Sequence, residues 1–394
     1  MSAFSGVRVL DLSRVLAGPS CGQLLADFGA DVIKVEDVGG DENRKWAPVV
    51  DGESANYLSV NRGKRGMTLN LKTAAGQEIL AALVARSDVV IDSFLPAVAE
   101  RLGVGDTRLR AIRPDLIHVT ISGYGHDGPL ASKPGYDLML QAFSGMMAMT
   151  GERDGGPIRA GASFIDMATG MLAFSGVSAA LYARLAGKAA GQHIRVSLLE
   201  TAIALLGYHV PAYTLAGKLP PRDGSGVWHI VPYQAFATRD GYVLAGATND
   251  VAWQRLCVAI DAPELAANPA YTTTALRIEN RAPVIAALSA IFLTGETADW
   301  VQRLDAANVP CAPVNDLAQT LAHPQVQAMR MVLDIAGRKG GTLRVAGVPL
   351  NLSATPAEPG GAPPLLGEHT DSILKNELRL GDDKIAALRQ EGAI

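Results

Sequence analysis

The sequence predicts an α/β fold: a doubly wound, largely parallel sheet forming a large domain, plus a smaller α+β domain. Three observations predict it. Short apolar runs alternate with helical patterns about five times between Val7 and Ser122, the mark of a parallel sheet with helical crossovers. The composition changes after a Pro/Gly-rich stretch at 211–225, which reads as a linker. The chain has 394 residues, a length suited to about two domains.

The elements follow in order. Val7 to Leu12 is a buried strand, and Pro19 opens a helical pattern over Ser20 to Phe28 that Gly29 closes. Asp31 to Glu36 is the second strand. The opening is therefore β-loop-α-β, but only Gly18 lies in its first turn, which argues against NAD. Asp37 to Ser59 is polar and turn-rich, and so long a loop commonly covers a site. Strands are expected at Met67–Leu71, Val89–Phe94, Leu116–Ser122 and His193–Ser197, with helices over Lys72–Arg86 and Leu199–Tyr208. Past the linker, Pro232–Ala237 and Tyr242–Ala247 form a hairpin turned at Arg239–Asp240–Gly241. Helices follow at Ala252–Ile260, Arg277–Phe292 and Thr297–Ala307, and Val309–Val314 is an extended segment. The expected domains are 1–210 (large, N-terminal part), 226–325 (small) and 346–394 (return to the large domain), with 326–345 as the returning linker.

Composition narrows the function. Hydrophobic residues make up 48% and charged ones 19%, enough for a sizeable core. A net charge of −4 gives nucleic-acid binding no support. The three cysteines, Cys21, Cys257 and Cys311, lie far apart, so no metal spacing or disulfide framework follows and a reducing, cytoplasmic setting is expected. No unbroken apolar run reaches the roughly 18 residues of a membrane span, so no membrane partner is expected.

Chemistry concentrates at Gly161 to Gly170, where one carboxylate, Asp166, stands among small and apolar residues. From Met167 to Leu185 a helical pattern runs with no charge before Arg184. Asp166 reads either as the N-cap of that helix or as a carboxylate nucleophile that the helix N-terminus keeps ionised and the apolar setting leaves poorly hydrated. A second candidate is Asn61–Arg62–Gly63–Lys64–Arg65–Gly66, a basic loop able to hold phosphate or to be a solvated turn. Ligands of such sheets sit beyond the carboxyl ends of the strands, so the candidate rim is Val15–Ala17, Asp37 onward, Phe94 and Gly123–Tyr136. His126 reads as a loop residue, His369 as structural, and the cysteines as packing residues.

Together these pieces resemble the class III CoA-transferases, the family of formyl-CoA transferase, carnitine CoA-transferase and α-methylacyl-CoA racemase. The residues that carry the resemblance are Val9 to Pro19, Phe28 to Glu36, Asn61 to Arg65, Gly123–Tyr124–Gly125 with Asp127–Gly128–Pro129, Gly135–Tyr136–Asp137, the Asp166 stretch and Pro364 to Thr370. The resemblance implies a large domain made from both chain ends, an interlocked-ring homodimer, and a site between the large domain of one subunit and the small domain of the other. It implies Asp166 as the catalytic residue. It also implies coenzyme A contacts at Val15, Leu16, Ala17, Leu69, Lys72, Ser93, Phe94 and Arg101, Tyr136 beside the thioester, and a less secure contact at Leu198. The family often has Arg after the Glu of the second strand. Asp37 stands there instead, so Lys64, Arg65, Lys72 or Arg101 is expected to meet the phosphates.

The implied reaction passes CoA from an acyl-CoA donor to a carboxylic acid through a mixed anhydride and an aspartyl-CoA thioester. CoA and acyl-CoA are substrates, and no tightly bound cofactor or metal is implied. Oxyanions would need backbone N–H groups, near Gly161 or in a glycine loop. The racemase alternative needs a histidine where this chain has Tyr136, and a non-catalytic acyl-CoA-binding protein would not need Asp166. The motifs are most similar to the branch that moves CoA from succinyl-CoA to small dicarboxylates such as itaconate, mesaconate, citramalate, malate or glutarate. Arg44, Arg159 and His229 are the candidates for a distal carboxylate.

Overall fold

The computed structural model describes residues 2–50, 52–337 and 341–394. These divide into two compact units, 1–144 with 161–207 and 325–394, and 145–160 with 208–324.

The first unit is built on six strands: β1 (Arg8–Asp11), β2 (Asp31–Glu36), β3 (Arg65–Thr68), β4 (Val89–Asp92), β5 (Ile117–Ser122) and β6 (Gln192–Ser197). Every pairing is parallel, in the order β3-β2-β1-β4-β5-β6. The chain first builds outward from β1 through β2 to β3, then crosses to β4 and builds the other way. That reversal opens a crevice at the carboxyl ends of β1 and β4, where doubly wound sheets hold ligands. Its first residues are the loop after Leu12 and the Ser93–Phe94 pair.

Burial explains the sheet's apolar runs. Val9, Leu10, Val89, Val90 and Ile91 are buried, covered on one face by Leu80, Leu83, Leu109 and the C-terminal residues Ile373, Leu374, Ile385 and Leu388. Each such side chain contributes about 1.5–3 kcal/mol. Three helices matter for the site: α1 (Ala17–Asp27), α2 (Asp137–Phe143) and α3 (Phe164–Leu185). Helix α3 is long and apolar enough to cross a membrane, yet here it packs on α1, β5 and β6.

The second unit has its own core of Phe236, Trp253, Leu256, Phe292 and Trp300. Its antiparallel sheet orders Cys311–Pro313, Tyr242–Gly246 and Tyr233–Ala237. Three boundaries differ from expectation. Residues 145–160 join this unit through Gly224 N–H to Gly151 O (2.9 Å) and the Arg153–Asp223 ion pair, contacts that sequence order does not announce. The expected linker 211–225 begins inside a helix, His209–Ala216, because Pro211 sits in its first turn, where no N–H is needed, and Gly217 ends it at φ +63°. The expected linker 326–345 carries a hairpin of Val332–Ala336 with Thr342–Ala346 and belongs to the first unit.

Candidate active site

Asp166 is not the cap of its helix. The N-cap is Ser163, and Asp166 is the third residue of α3. The capping is done from outside by Asp137, whose Oδ2 accepts the N–H groups of Ile165 (2.8 Å) and Asp166 (3.1 Å). Gln141, one turn on along α2, donates to Asp137 Oδ1 at 2.5 Å. Asp137 thus satisfies the helix end and leaves the Asp166 carboxylate uncommitted. It also changes the electrostatics: the expectation that the helix end keeps Asp166 ionised is reversed. Burial first, and the Asp137 charge second, push Asp166 up to about 7.

Helix α1 supplies the opposite wall. Gly170 lies one turn beyond Asp166 on the same face of α3, and a Cβ there would stand 1.9 Å from Ser20 Oγ and 2.5 Å from Ala17 O. The missing side chain lets α3 cross the first turn of α1 at close range. In that turn Ser20 N–H bonds Leu16 O, and Pro19 has no N–H. Leu16, Ala17 and Gly18 keep their amides without an acceptor among the described residues, and no side chain caps the helix. A cavity of about 190 Å³ brings these together: it is lined by Val15, Leu16, Ala17, Gly18, Ser93, Phe94, Tyr136, Leu198 and Asp166. Free amides therefore lie at this end of α1, beside the Asp166 cavity.

The loop into α1 is strained. Val15 adopts φ +68°, a conformation costing about 1–3 kcal/mol for such a residue. Ser13 and Arg14 anchor it upstream, Ser13 through N–H and hydroxyl bonds to Asp11 and Arg14 through its N–H to Ser93 Oγ (3.0 Å).

A second cavity in the same crevice is lined by Arg14, Asp37, Leu69, Lys72 and Phe94. Lys72 is exposed there and pairs with Asp37 at 3.2 Å. Arg14 lines both cavities and lies over the Phe94 ring at 5.2 Å. Its place directly before Val15 was the available signal, and the sequence reading passed over it. Arg101, exposed on Pro96–Leu102, lines neither cavity.

Three expected cations are otherwise engaged. Lys64 is fully buried, donating to Asp11, Asn61 and Pro19 O, all at 2.8 Å. Gly22 makes room for that pair, since a Cβ there would stand 2.8 Å from Asp11 Oδ2. Arg65 bonds Asp31 and Glu377. Arg44 makes two 2.7 Å bonds to Glu36 and lies 3.6 Å above the Tyr57 ring, so it is a structural partner rather than a carboxylate receptor. Each of these cations can be buried or half-buried because it meets an acid on β1 or β2. Arg159 and His229 belong to the second unit. Arg159 bonds Ala160 O, and the His229 ring touches Tyr208 and Trp228, its buried Nδ1 lacking a hydrogen bond among the described residues.

One group has metal-ligand composition among the described residues: Asp106, His118 and His193. The two imidazoles stack with planes 6° apart, so their in-plane lone pairs do not converge on one point. His118 bonds Asp92 at 2.8 Å and Asp106 at 3.1 Å; burial opposes its charge, but the two acids raise it to about 9. His118, Asp92 and Asp106 form an ion triad, and His193, lowered to about 4 by burial and by the His118 charge, stacks on it uncharged. The thiols are quiet too, since burial raises Cys21 and takes Cys257 to about 12 and Cys311 to about 11. His126 sits in its loop with Nε2 3.3 Å from Val196 O, and His369 bonds the backbone of Gly66 through both its own N–H and Nδ1.

A buried carboxylate with no side-chain partner among the described residues, facing a crevice with unused helix amides at the switch point of a doubly wound sheet, fits an enzyme of group-transfer type. The chain matches CoA-transferase family III over residues 4–370, and it belongs to that family. It is 38% identical to human succinyl-CoA:glutarate CoA-transferase, over 99% of this chain and 89% of the relative. It is 37% identical to succinate–glutarate CoA-transferase of Agrobacterium fabrum, over 94% of each chain. A succinyl-CoA:mesaconate CoA-transferase of Haloarcula hispanica is 36% identical over 95% of this chain and 96% of its own. Among solved structures, a CaiB/BaiF family protein from Brucella suis superposes with a TM-score of 0.87 at 35% identity, covering 95% of this chain and 99% of that one. The protein is a family III CoA-transferase.

Proposed function

We propose that this enzyme moves CoA from succinyl-CoA to a small dicarboxylate of the glutarate or mesaconate type, through a thioester on Asp166. The carrying observation is the uncommitted Asp166 carboxylate in a cavity with the free amides of Leu16, Ala17 and Gly18. The relatives that use succinyl-CoA with glutarate, mesaconate or citramalate support the substrate class.

The steps balance without ATP. The Asp166 carboxylate attacks the succinyl carbonyl carbon, the C–S bond breaks, and a mixed anhydride and CoA thiolate form. The thiolate attacks the aspartyl carbonyl carbon, giving aspartyl-CoA and free succinate. The acceptor carboxylate attacks that thioester and the two steps run back, ending with acceptor-CoA and the Asp166 carboxylate. Each attack puts negative charge on a carbonyl oxygen, which the α1 amides are placed to receive. Water must be excluded, or the anhydride hydrolyses. Arg14 and Lys72 take the CoA phosphates, and Leu69 and Phe94 flank the nucleotide.

We read the assembly as an interlocked homodimer in a cytoplasmic, reducing setting, with no membrane or nucleic-acid partner. Phe143, Met171, Leu172, Tyr182 and Leu185 are exposed on α2 and α3, an apolar face suited to a second copy of the chain. His229 is retained as a candidate for the acceptor's distal carboxylate.

The test is a panel of dicarboxylates with succinyl-CoA, read by mass spectrometry of the acyl-CoA products. Wild type should charge at least one acceptor, and hydroxylamine or borohydride added during turnover should mark the peptide containing Asp166. Asp166→Asn should bind acyl-CoA but lose transfer by more than about 10³-fold. A label on another peptide, or exchange of the α-hydrogen of a 2-methylacyl-CoA in place of transfer, would overturn the reading.

A further inference from the structure

Val15 carries an unexplained conformation. Among the described residues, five non-glycine residues have positive φ: Val15, Asp261, Asn308, Arg330 and Arg379. Val15 is the one that is β-branched, the side-chain type least suited to that region. It also lines the cavity that holds Asp166. A residue left to itself would relax to negative φ and swing the following peptide groups. Something must hold it.

The holding groups come from the segment after β2. Asp41 Oδ2 accepts the Val15 N–H at 3.1 Å, and Asn43 Nδ2 donates to Val15 O at 2.7 Å. The peptide groups on both sides of Val15 are thereby fixed by two side chains two residues apart. Both side chains are buried: Asp41 is 4% exposed and Asn43 0%. They are fixed in turn. The Asp41 N–H bonds Glu36 Oε2 at 2.9 Å, and Glu36 is gripped by Arg44. Lys34 stands 3.5 Å from Asp41 Oδ2 and also donates to Ser13 O, two residues before Val15. The Arg44 pair thus has a use that binding a substrate carboxylate would have denied it.

The next three amides after Val15 are the free ones of Leu16, Ala17 and Gly18. A rotation at Val15 would re-aim them relative to Asp166, which α3 fixes independently through Gly170 and Asp137. We propose that Asp41 and Asn43 are positioning residues for the transfer reaction, clamping Val15 in its left-handed conformation so that the first amides of α1 face the carbonyl reacting with Asp166. The proposal rests on the aspartyl-thioester reading above for its chemistry. The clamp itself is a property of the substrate-free protein and can be tested without turnover.

The experiment compares Asn43→Ala, Val15→Gly and the double variant in the full chain. Hydrogen–deuterium exchange of the peptide spanning residues 12–18 is read first, without substrate. Asn43→Ala should accelerate exchange there, whether or not the enzyme transfers CoA as proposed. With succinyl-CoA and an accepted dicarboxylate, Asn43→Ala should lower kcat at least about 10-fold, while KM for acyl-CoA moves less than about 3-fold. Glycine reaches the left-handed region at no steric cost. Val15→Gly in the Asn43→Ala background should therefore recover at least about 3-fold of the lost kcat. A loss of general stability would not be recovered by that change. Unaltered exchange in Asn43→Ala, an unaltered kcat, or a double variant no better than Asn43→Ala would overturn the proposal. Should Asn43→Ala not fold, Asn43→Asp keeps the size and removes the donor, and the same comparisons apply. Absence of transfer by wild type, with the exchange result as expected, would strike the parent reading and leave the clamp standing.

Discussion

Asp137 accepts the backbone N–H of Asp166 at 3.1 Å, so one buried carboxylate caps the helix that presents another. The arrangement frees the Asp166 side chain and raises its proton affinity at once. A nucleophile with a pKa near neutrality combines an adequate ionised fraction with strong basicity.

The first prediction concerns pH and rate. In the proposed reaction Asp166 attacks as the anion, so kcat/KM should rise with pH through about 7. Asp137→Asn keeps an oxygen for the two amides and removes the like charge. Its midpoint should lie below that of wild type, though not at the ordinary carboxylate value, because burial is the larger cause. Initial rates across pH 5–9 measure both. A midpoint that stays put or climbs in Asp137→Asn would show that the like charge does not matter.

Stability carries the same linkage. The Asp166 carboxyl holds its proton more tightly folded than unfolded. Its contribution is therefore fully present below the unfolded value of 3.8 and lost as pH rises through about 7. Asp166→Asn should raise the melting temperature at pH 8 and leave it nearly unchanged at pH 4. Equal shifts at both pH values would contradict this.

His118 provides a second window. Its folded value is raised to about 9, so its stabilisation is complete below the unfolded value of 6.5 and fades as pH rises through 9. His118→Gln leaves Asp92 facing an uncharged side chain. It should cost about 3 kcal/mol at pH 6 and clearly less at pH 10, by urea unfolding. A cost independent of pH would mean that the charge is not what stabilises.

Gly170→Ala tests the helix crossing. The new Cβ meets Ala17 O, a backbone atom, at 2.5 Å, so α1 must move. Overpacking should cost about 1–3 kcal/mol. Because the moved turn carries the free amides, kcat should fall as well. Ser20→Ala removes only the nearer contact and should not restore activity. Full recovery in that double variant would place the clash in the hydroxyl alone.

Arg14→Ala tests the phosphate assignment. Loss of a charge-assisted contact should raise KM for acyl-CoA about 10-fold or more, with a smaller change in kcat. The defect should shrink at high salt, where screening already weakens the wild-type contact. An unchanged KM would send the phosphates elsewhere along the crevice.

The sequence by itself determined the layered architecture and singled out Asp166 as the carboxylate at the centre of the candidate site. The strands of the large sheet are short apolar runs separated by capped helical patterns, and local patterning of that kind survives any packing. Asp166 stood out because no other acid lies near it in a long apolar stretch. Local reading also placed Val15, Phe94 and Tyr136 on the rim that the cavity now shows, since each follows a strand end or opens the next helix. Only the tertiary structure decided what each charge does. Lys64, Arg65 and Arg44 look like phosphate or carboxylate receptors in sequence, yet their partners Asp11, Asp31 and Glu36 arrive from other strands. Asp137 caps a helix that begins 27 residues later, and Asp41 holds a residue 26 positions earlier. Such pairings depend on which strands are neighbours, and strand order is fixed by long-range packing that no local pattern encodes.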